Sequence, residues 1–396
     1  MRYSDNAKRF GGMGDDAWEI HRRAWVKEAA GEPVIVLSAG EERSATTPPA
    51  IVAAAKQALD AGRHHYSPLT GSDALKAAVA ARHLALTGQR VTPDSCCILA
   101  GAQNALYSVL VCLAGVGDEV IVPEPYYATY PGVCRAGGAT MVTVPCDPEA
   151  DFVVDPERIA AAITPNSRVI LLNSPNNPTG AIYPKAELEA IADLAKKHDL
   201  WVVSDEVYAD FVYDATHVAI GALPGMADRT VTLGSMSKAY RMSGWRVGWM
   251  VANPTLAGII TDMASCTLYG IPPFIQDAAL AALIDETGEI ESDRASMLAD
   301  YRARRDLVCE HLANIPGLTL RYPAAGMFVM VDVRGTGLDD FTYAARLLDE
   351  ENVGVMTGTA FGPSAIGHIR LGLVASQEKL VEACTRIRRF TLSLAA

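Results

Sequence analysis

Between residues 48 and about 280, short apolar runs alternate with stretches of helical periodicity, and this alternation constrains the fold more than any other feature. The apolar runs include RVILLN at 168–173, WVV at 201–203 and TVTL at 230–233. Apolar runs separated by helices are typical of the buried strands of a parallel sheet that is covered by helices on both faces. Open sheets of this kind bind ligands at the carboxyl ends of their strands. The sequence therefore predicts an α/β fold with its functional residues at strand ends.

The segment that follows TVTL combines groups that can hold an aldehyde cofactor. In GSMSKAYRMSGWRVGW, residues 234–249, Ser235 and Ser237 precede Lys238, and Arg246 follows eight residues later. A lysine amine can form a Schiff base with an aldehyde, while hydroxyl groups and a guanidinium can bind its phosphate. A surface lysine beside a turn is the alternative interpretation of this segment taken alone.

Polar residues at two other strand ends favour the cofactor interpretation. RVILLN leads into NNPTG at 176–180, and WVV leads into Asp205, Glu206 and Tyr208. A carboxylate at the end of a buried strand is destabilising unless it meets a cation. A protonated pyridine nitrogen would be such a cation.

A glycine turn near residue 100 offers a site for an anion. The segment SCCILAGAQNALYSVLVCLAG at 95–115 predicts a strand that turns at Gly101 into an apolar helix. The amides of Ala102 and Gln103 would then lie at the amino end of that helix, where anions bind readily. Gly-Ala-Gln alone is a weak signal, and it gains weight from the order of the neighbouring motifs.

Taken in order, these motifs resemble the fold-type I, class I/II aminotransferases that depend on pyridoxal 5'-phosphate. The set is NNPTG, SDEVY, SMSK, the R-V-G that contains Arg246, and IRLGL near the end of the chain, and the similarity extends over essentially the whole sequence. The resemblance implies an α/β large domain, with a mostly parallel seven-stranded sheet between helices, and a smaller α+β domain. It also implies an amino acid and a 2-oxo acid as substrates, with ping-pong chemistry through an internal aldimine and a pyridoxamine phosphate form.

Four other segments point to one group within this family. They are MRYSD, WEIHRRA, LPGMADRT and AFGPSAIGHIRLGLV. These segments make the chain most similar to the members that transfer the amino group of L-arginine to pyruvate. Donors such as aspartate, alanine or aromatic amino acids are the alternative within the same family.

The resemblance implies three catalytic residues, Lys238, Asp205 and Tyr208. Lys238 would form the internal aldimine and move the proton between the substrate Cα and the cofactor C4′. Asp205 would pair with the pyridine nitrogen and keep it protonated. Asn177, which also lies on the substrate side, would join Tyr208 in hydrogen bonds to the phenolic oxygen. The groups implied to hold the phosphate are Ser235, Arg246 and the amides around Ala102 and Gln103.

The same resemblance implies roles for several aromatic residues and for residues that contact the substrate. Tyr127, in EPYYATYP, would stack on the cofactor, with Tyr126 as the choice if the register differs by one. Arg370 would bind the substrate carboxylate as a two-pronged ion pair, and Gly40 would let the backbone approach that carboxylate. Tyr66 would reach the phosphate of the neighbouring subunit, which implies a homodimer with shared active sites. The alternatives are a core tyrosine at 127, a turn tyrosine at 66 and a surface ion pair at 370.

The loop that follows the first strand departs from the family pattern. Relatives follow the glycine with an acid, a proline, an aspartate and an aromatic residue before Thr-Pro, whereas here Gly40 is followed by EERSATTP, one residue longer. In the family this loop lies over the substrate. Glu41 and Glu42 therefore either face a cationic substrate side chain or face water.

The rest of the chain is continuous and predicts two domains. The large cofactor-binding domain is expected at 48–285, and the small domain at 1–47 and 286–396. The amino-terminal part predicts a helix over DDAWEIHRRAWVKEAAG and a strand over VIVLSAG, and the carboxyl-terminal part a long helix around MLADYRARRDLVCEHLANI and strands near GMFVMVDV and HIRLGLV. The acidic stretch IDETGEIES at 284–292 is interpreted as a hinge or a solvated loop.

Composition excludes several classes of protein. Hydrophobic residues make up 50% and charged residues 20%, which indicates a globular chain. The net charge of −12 argues against nucleic acid as a partner. No apolar run approaches the ~18 residues of a membrane span, and the amino terminus lacks the apolar core of a signal peptide. Eight cysteines without metal spacing and eight histidines without an HxxxH pattern predict reduced thiols, no metal site and a cytoplasmic enzyme.

Two other classes of function share this fold. A lyase or an oxidase would use the same cofactor and differ only after Cα deprotonation. A non-catalytic effector module of a transcription regulator would carry a DNA-binding domain ahead of the fold. Only about 47 residues precede the large domain, and none show a basic helix-turn-helix.

Overall fold

The computed structural model describes residues 2–10, 18–42 and 45–394. Its helices are α1 (Glu19–Ala29), α2 (Pro49–Asp60), α3 (Asp73–Thr87), α4 (Ala102–Leu113), α5 (Tyr130–Ala136), α6 (Pro156–Ala162), α7 (Lys185–Lys197), α8 (Pro254–Cys266), α9 (Pro273–Ile284), α10 (Glu289–Leu312), α11 (Asp340–Glu351) and α12 (Gln377–Ser393). Its strands are β1 (Ile35–Val36), β2 (Cys96–Leu99), β3 (Glu119–Glu124), β4 (Thr140–Pro145), β5 (Ser167–Asn173), β6 (Trp201–Asp205), β7 (Thr230–Ser235), β8 (Gly248–Val251), β9 (Thr319–Leu320), β10 (Phe328–Asp332), β11 (Val353–Gly354), β12 (Met356–Thr357) and β13 (His368–Gly372).

A seven-stranded sheet in the order β2-β8-β7-β6-β5-β3-β4 forms the centre of the fold. The pairs from β4 to β7 are parallel, and β8 runs antiparallel to both of its neighbours. The expectation of a mostly parallel sheet in an α/β fold is therefore confirmed.

The sheet is apolar on both faces, as the strand sequences predict. Leu171 and Val203 belong to a cluster that includes residues of α4 and α8, while Ile170 and Val202 belong to a cluster that includes residues of α7. Successive residues of a strand point to opposite faces, so an unbroken apolar run is needed when helices cover both. Packing on both faces fixes the register of β5 and β6, and with it the position of the residues at their ends.

A smaller group of strands joins the two ends of the chain. Strand β1 pairs in parallel with β11, and the order β12-β13-β10-β9 forms an antiparallel sheet. The amino-terminal segment thus packs with the carboxyl-terminal part, which is the arrangement assumed for the small domain. The proposed limits at residues 47/48 and 285/286 stay a prediction. None of the helices in the described part of the chain is both long and apolar enough to cross a bilayer.

Two local elements differ from the sequence expectations. The strand expected over VIVLSAG has only two residues, Ile35 and Val36. Beyond them, the carbonyl of Leu37 accepts from the amide of Gly372 in β13, and the carbonyl of Ser38 accepts from the side chain of Arg370. Part of the acidic stretch 284–292 is helical, since α10 begins at Glu289. The carboxylate of Asp285 accepts hydrogen bonds from the amides of Ile290 and Glu291, at 3.2 and 2.7 Å, and so caps this helix.

Candidate active site

The carboxyl ends of β5, β6 and β7 bring polar residues together at one edge of the sheet. Asn173 lies opposite Asp205 in the β5–β6 register, and Ser235 ends the adjacent strand β7. A cavity of about 180 Å³ opens at this edge. Its lining comprises Ala102, Gln103, Leu106, Tyr127, Asn173, Asn177, Asp205, Val207, Tyr208, Ser235, Ser237, Lys238, Ser243 and Arg246. Most residues that the sequence singled out therefore meet in one place.

Lys238 follows β7 and presents its amine to the cavity. Its Nζ donates a hydrogen bond to the carbonyl oxygen of Gly40 at 2.7 Å. Burial lowers the pKa of Lys238 to about 8; the carboxylate of Glu41 opposes this shift, and Arg370 and Arg246 add to it. An amine with this pKa is partly neutral near pH 8, and the neutral form is the one that attacks a carbonyl or accepts a proton.

Asp205 is a buried carboxylate whose hydrogen-bond partners are uncharged. Its Oδ2 accepts a hydrogen bond from the hydroxyl of Tyr130 at 2.7 Å, and its Oδ1 accepts one from the amide of Val207 at 3.4 Å. Burial raises the pKa of Asp205 to about 6; the two hydrogen bonds oppose the rise, and Glu206 adds to it. No cation of residues 2–10, 18–42 or 45–394 forms an ion pair with this carboxylate. A ligand cation would supply the missing charge.

The amino end of α4 and Arg246 form a cradle for an anion. Helix α4 begins after Gly101, which has φ +85° and provides no side-chain cap. A Cβ atom at Gly101 would lie 2.5 Å from Nη2 of Arg246, so only glycine allows the guanidinium to approach the helix end this closely. Ala102, Gln103, Ser235 and Arg246 all line the cavity, so an anion there could meet the amino end of α4 and the guanidinium.

Aromatic side chains and an amide form another wall of the cavity. Tyr127 lines it and packs edge to face on Tyr130, with ring centroids 5.9 Å apart. Nδ2 of Asn177 donates to the hydroxyl of Tyr208 at 3.4 Å, and burial raises the pKa of Tyr208. Tyr126 lies outside the lining, and its ring closely approaches Gly362. The geometry thus favours Tyr127 for an aromatic contact to a ligand.

Arg370 is a buried guanidinium next to this wall. Nη1 donates to Oδ1 of Asn177 at 2.8 Å, and Nη2 donates to the carbonyl oxygen of Ser38 at 2.9 Å. The guanidinium lies 4.0 Å from the ring centroid of Phe328 and 4.9 Å from that of Phe361. Its Nε has no hydrogen-bond partner among the residues that the structure describes. Burial lowers the pKa of Arg370 to about 10, yet no carboxylate of the described chain pairs with it. An anionic ligand would satisfy both deficits.

The loop at 40–42 places its two acids in different surroundings. Glu41 is exposed, and it accepts a hydrogen bond from the hydroxyl of Ser243, which lines the cavity. Glu42 is directed away from the cavity and forms an ion pair with Arg304 at 2.8 Å. Of the two predicted acids, only Glu41 therefore lies at the mouth of the cavity.

Tyr66 does not line the cavity. Its side chain is 88% exposed and packs edge to face on Tyr269, with ring centroids 5.2 Å apart. His64 and His65 lie beside it in a shallow surface cleft. Within this protomer Tyr66 contacts none of the cavity residues, as expected if its partner belongs to another subunit.

Several residues of the site were not found from the sequence. Tyr130 binds Asp205, the carbonyl of Ser38 binds Arg370, and Phe328 and Phe361 cover that guanidinium. Tyr130 stands three residues after Tyr127 in EPYYATYP, so the aromatic spacing was an available signal. Ser38, Phe328 and Phe361 belong to no sequence motif that would have indicated their roles.

The residues of the cavity fit pyridoxal 5'-phosphate. Asp205, which forms no ion pair within the described part of the chain, offers a carboxylate for a pyridinium. The α4 end with Arg246 suits a phosphate, and Lys238 supplies an amine for an aldehyde. Asn177 and Tyr208 supply donors for a phenolic oxygen. Each polar group of the cofactor thus has a partner of matching charge or hydrogen-bonding type.

Comparisons with known proteins agree with this fit. Residues 32–387 match the family model described as aminotransferase class I and II. The arginine–pyruvate transaminase of Pseudomonas aeruginosa is 51% identical over 387 residues, which cover 98% of this chain and 97% of that protein. The aspartate/prephenate aminotransferase of Thermus thermophilus is 35% identical over 93% of this chain and 94% of that protein. The solved structure of aspartate aminotransferase from Thermus thermophilus with maleate superposes with a TM-score of 0.92, at 34% identity, and covers 98% of this chain and 100% of that chain.

Proposed function

The chain belongs to the class I and II aminotransferases, which depend on pyridoxal 5'-phosphate, and we propose that it transfers the amino group of L-arginine, or of another basic amino acid, to a 2-oxo acid such as pyruvate. The observation that carries the proposal is a pair of buried charges that form no ion pair with any residue the structure describes. They are the carboxylate of Asp205 and the guanidinium of Arg370, which donates to Asn177 beside Tyr208. One requires a cation and the other an anion, as the ring of the cofactor and the carboxylate of an amino acid would provide.

The cofactor contacts that we propose follow the chemistry of the lining residues. Ser235, Arg246 and the amides of Ala102 and Gln103 hold the phosphate, while Tyr127 stacks on the ring. When bound, the cofactor supplies an electron sink that weakens the Cα–H bond of the substrate. Lys238 removes and returns the proton at Cα, and its lowered pKa suits this exchange near neutral pH.

The substrate contacts divide between the two ends of an amino acid. Arg370 binds the α-carboxylate as a fork, with its orientation fixed by Asn177 and by the carbonyl of Ser38. Glu41 lies at the cavity mouth and binds a cationic side chain. The carboxylate of Glu42 is paired with Arg304, so the proposal assigns the cation contact to Glu41 alone. The similarity to the arginine–pyruvate transaminase of Pseudomonas aeruginosa supports this choice of donor.

A half-reaction tests the reaction class. Incubated with L-arginine alone, the enzyme should release one equivalent of 2-oxo acid per active site and then stop, and added pyruvate should restart turnover. A lyase or an oxidase acting on the same cofactor would continue without pyruvate. Continuous product formation from arginine alone would therefore reject the transaminase assignment, and the measurement needs only product quantification against enzyme concentration.

The Glu41→Gln variant tests the donor. Its catalytic efficiency for L-arginine with pyruvate should fall by about ten- to hundredfold, because a charge-assisted hydrogen bond to the guanidinium contributes about 1.5–3 kcal/mol. L-Alanine should be little affected as a donor, since it has no side-chain cation. Steady-state kinetics with both donors gives the comparison.

Glu189→Gln is the matched control for this test. Glu189 is an exposed acid of α7 that pairs with Lys185 and lies outside the cavity. It should leave both donors unchanged. Equal losses on arginine and alanine in Glu41→Gln would assign Glu41 to loop support. No turnover of any basic amino acid by the wild type would reject the donor class and leave the transaminase assignment in place.

A homodimer with shared active sites, located in the cytoplasm, completes the proposal. The exposed pair Tyr66 and Tyr269 supports the interface, because two large aromatic side chains in water are expected to be covered by a partner. Tyr66 of one subunit then contacts the phosphate bound by the other. All eight cysteines are free thiols, as expected in a reducing compartment.

Hybrid dimers test the shared site. Lys238→Ala lacks the amine, and Tyr66→Asp places a carboxylate against the phosphate of the neighbouring subunit, so each homodimer should be inactive. In an equal mixture half of the dimers are hybrids with one intact site, so about a quarter of the wild-type activity should return. Activity is measured after the two variants are co-refolded or co-expressed. Tyr322→Asp, an exposed tyrosine elsewhere, should remain active on its own. A fully active monomer by sedimentation would reject the shared site.

A further inference from the structure

Glu42 joins the substrate loop to helix α10 through a buried network. Its Oε1 accepts a hydrogen bond from Nη2 of Arg304 at 2.8 Å, and its Oε2 accepts one from the hydroxyl of Tyr301 at 3.2 Å. The side chains of Arg304 and Glu42 are only 9% and 13% exposed. Both carboxylate oxygens are therefore engaged by α10, in surroundings where such bonds are strong.

Arg304 also reaches the strand that carries the carboxylate-binding arginine. Its Nη1 donates to the carbonyl oxygen of Leu373 at 3.1 Å, directly after the end of β13. Its Nη2 is 2.5 Å from Asp300, one turn earlier on α10. A single guanidinium thus connects the loop at Glu42 with the chain three residues beyond Arg370.

Three backbone carbonyl groups of the segment 37–40 also hold this loop against the site. The carbonyl of Leu37 accepts a hydrogen bond from the amide of Gly372 at 2.6 Å. The carbonyl of Ser38 accepts from Arg370 at 2.9 Å, and that of Gly40 accepts from Lys238 at 2.7 Å. A displacement of the loop therefore moves a hydrogen-bond acceptor of Arg370 and the proposed cation contact, Glu41, together.

We propose that Glu42 and Arg304 are a positioning pair that sets the substrate-carboxylate subsite and the place of Glu41, and that neither touches the substrate. The assignment of Glu41 and Arg370 as substrate contacts rests on the proposed function. The pair fixes the carboxyl-terminal end of the segment 37–42, whereas β1 and β13 fix its beginning.

Glu42→Gln is the variant that tests this role. Glutamine keeps the size of the side chain and weakens its bond to Arg304 by removing the charge. Arg304 keeps Asp300 as its counter-ion, so no buried cation is left unpaired and the fold is preserved. Asp214→Asn is the matched control, because Asp214 pairs with Arg302 and Arg305 of the same helix, away from the loop.

Two unreactive acids report binding without turnover. Pentanoate carries only the carboxylate, and 5-guanidinopentanoate adds the guanidinium of arginine; neither has an amino group to transfer. Calorimetric titration of the wild-type holoenzyme should give a Kd for 5-guanidinopentanoate about ten- to hundredfold lower than that for pentanoate. In Glu42→Gln both Kd values should rise by about tenfold or more, because the carboxylate subsite and Glu41 shift together. Asp214→Asn should bind both acids as the wild type does.

Kinetics should agree with this pattern. In Glu42→Gln the KM should rise for arginine and for alanine, and it should change by more than kcat, since Lys238 and Asp205 remain in place. A role confined to stability would lower the melting temperature and leave the KM of both donors unchanged.

The outcomes separate the alternatives. Weaker binding of 5-guanidinopentanoate alone would make Glu42 a direct contact of the guanidinium and overturn the positioning role. Unchanged binding of both acids, or equal losses in Asp214→Asn, would overturn it as well. If the wild type does not distinguish the two acids, the proposed donor class fails, while the pentanoate titration of Glu42→Gln still decides whether the pair positions the loop.

Discussion

The Lys238→Ala variant is expected to bind the cofactor without a covalent link and to lose transamination. Lys238 is the lysine whose amine lines the cavity, and burial has already brought its pKa to about 8. Alanine removes the amine that we propose both for the covalent attachment and for the proton transfer at Cα. Loss of a group with both roles should lower kcat by about five or more orders of magnitude. The wild-type protein should be yellow, and borohydride should abolish its long-wavelength absorption band.

Peptide mass spectrometry makes this prediction specific to one residue. After borohydride reduction of the wild type, the pyridoxyl group should be found on the peptide that contains Lys238. Lys185, an exposed lysine paired with Glu189 on α7, serves as the comparison. A pyridoxyl group on Lys185 or on any other lysine would contradict the assignment, whatever the activity of the variant.

The strands and their ends could be predicted because the sequence patterns that specify them are local. RVILLN, WVV and TVTL are apolar throughout, and each became a central strand of a sheet buried on both faces. The polar residues that follow them lie at one edge because parallel strands end on the same side. Asn173 and Asp205 are therefore neighbours in register although 32 residues separate them in sequence.

The contacts that complete the site depend on distant parts of the chain. Glu42 and Arg304 are 262 residues apart, and Arg370 and Ser38 are 332 residues apart. No periodicity links such pairs, since they meet only when β1, β13 and α10 have packed. The sequence could therefore identify Glu42 as an unusual acid, but it could not distinguish a substrate contact from an anchor on α10.

Helix ends were also hard to predict, because they depend on individual caps. The acidic stretch at 284–292 has the composition of a solvated loop, yet Asp285 caps α10 and allows the helix to begin at Glu289. A capping carboxylate four residues ahead of a charged helix resembles any other surface acid in sequence. The same ambiguity separates Tyr66 from ordinary turn tyrosines, since its proposed partner lies in another subunit.

Asp205→Ala is expected to reduce catalysis far more than it reduces cofactor binding. Asp205 is held by Tyr130 and by the amide of Val207, and burial raises its pKa to about 6. A pyridinium would pair with this carboxylate, and the carboxylate in turn would keep the ring protonated. The carboxylate charge that Asp205→Ala removes matters most in the transition state of Cα deprotonation. We therefore expect kcat/KM to fall by about three or more orders of magnitude. The Kd for the cofactor should rise by much less, because the phosphate contacts proposed at α4 and Arg246 are unchanged by the substitution.

Glu206→Gln is the control that isolates the position of the charge. Glu206 is also a buried carboxylate, but it bonds Ser204 at 2.8 Å and His217 at 3.0 Å and does not line the cavity. Loss of the Glu206 charge should change kcat/KM by less than about tenfold, since Asp205, the proposed partner of the ring nitrogen, is retained. Asp205→Glu keeps the charge at a longer reach and should recover part of the activity lost in Asp205→Ala. Pre-steady-state measurement of Cα deprotonation, together with cofactor titration, separates rate from binding. If Asp205→Ala deprotonates its substrate within about tenfold of the wild-type rate, Asp205 is not the partner of the ring nitrogen, and its burial serves the fold alone.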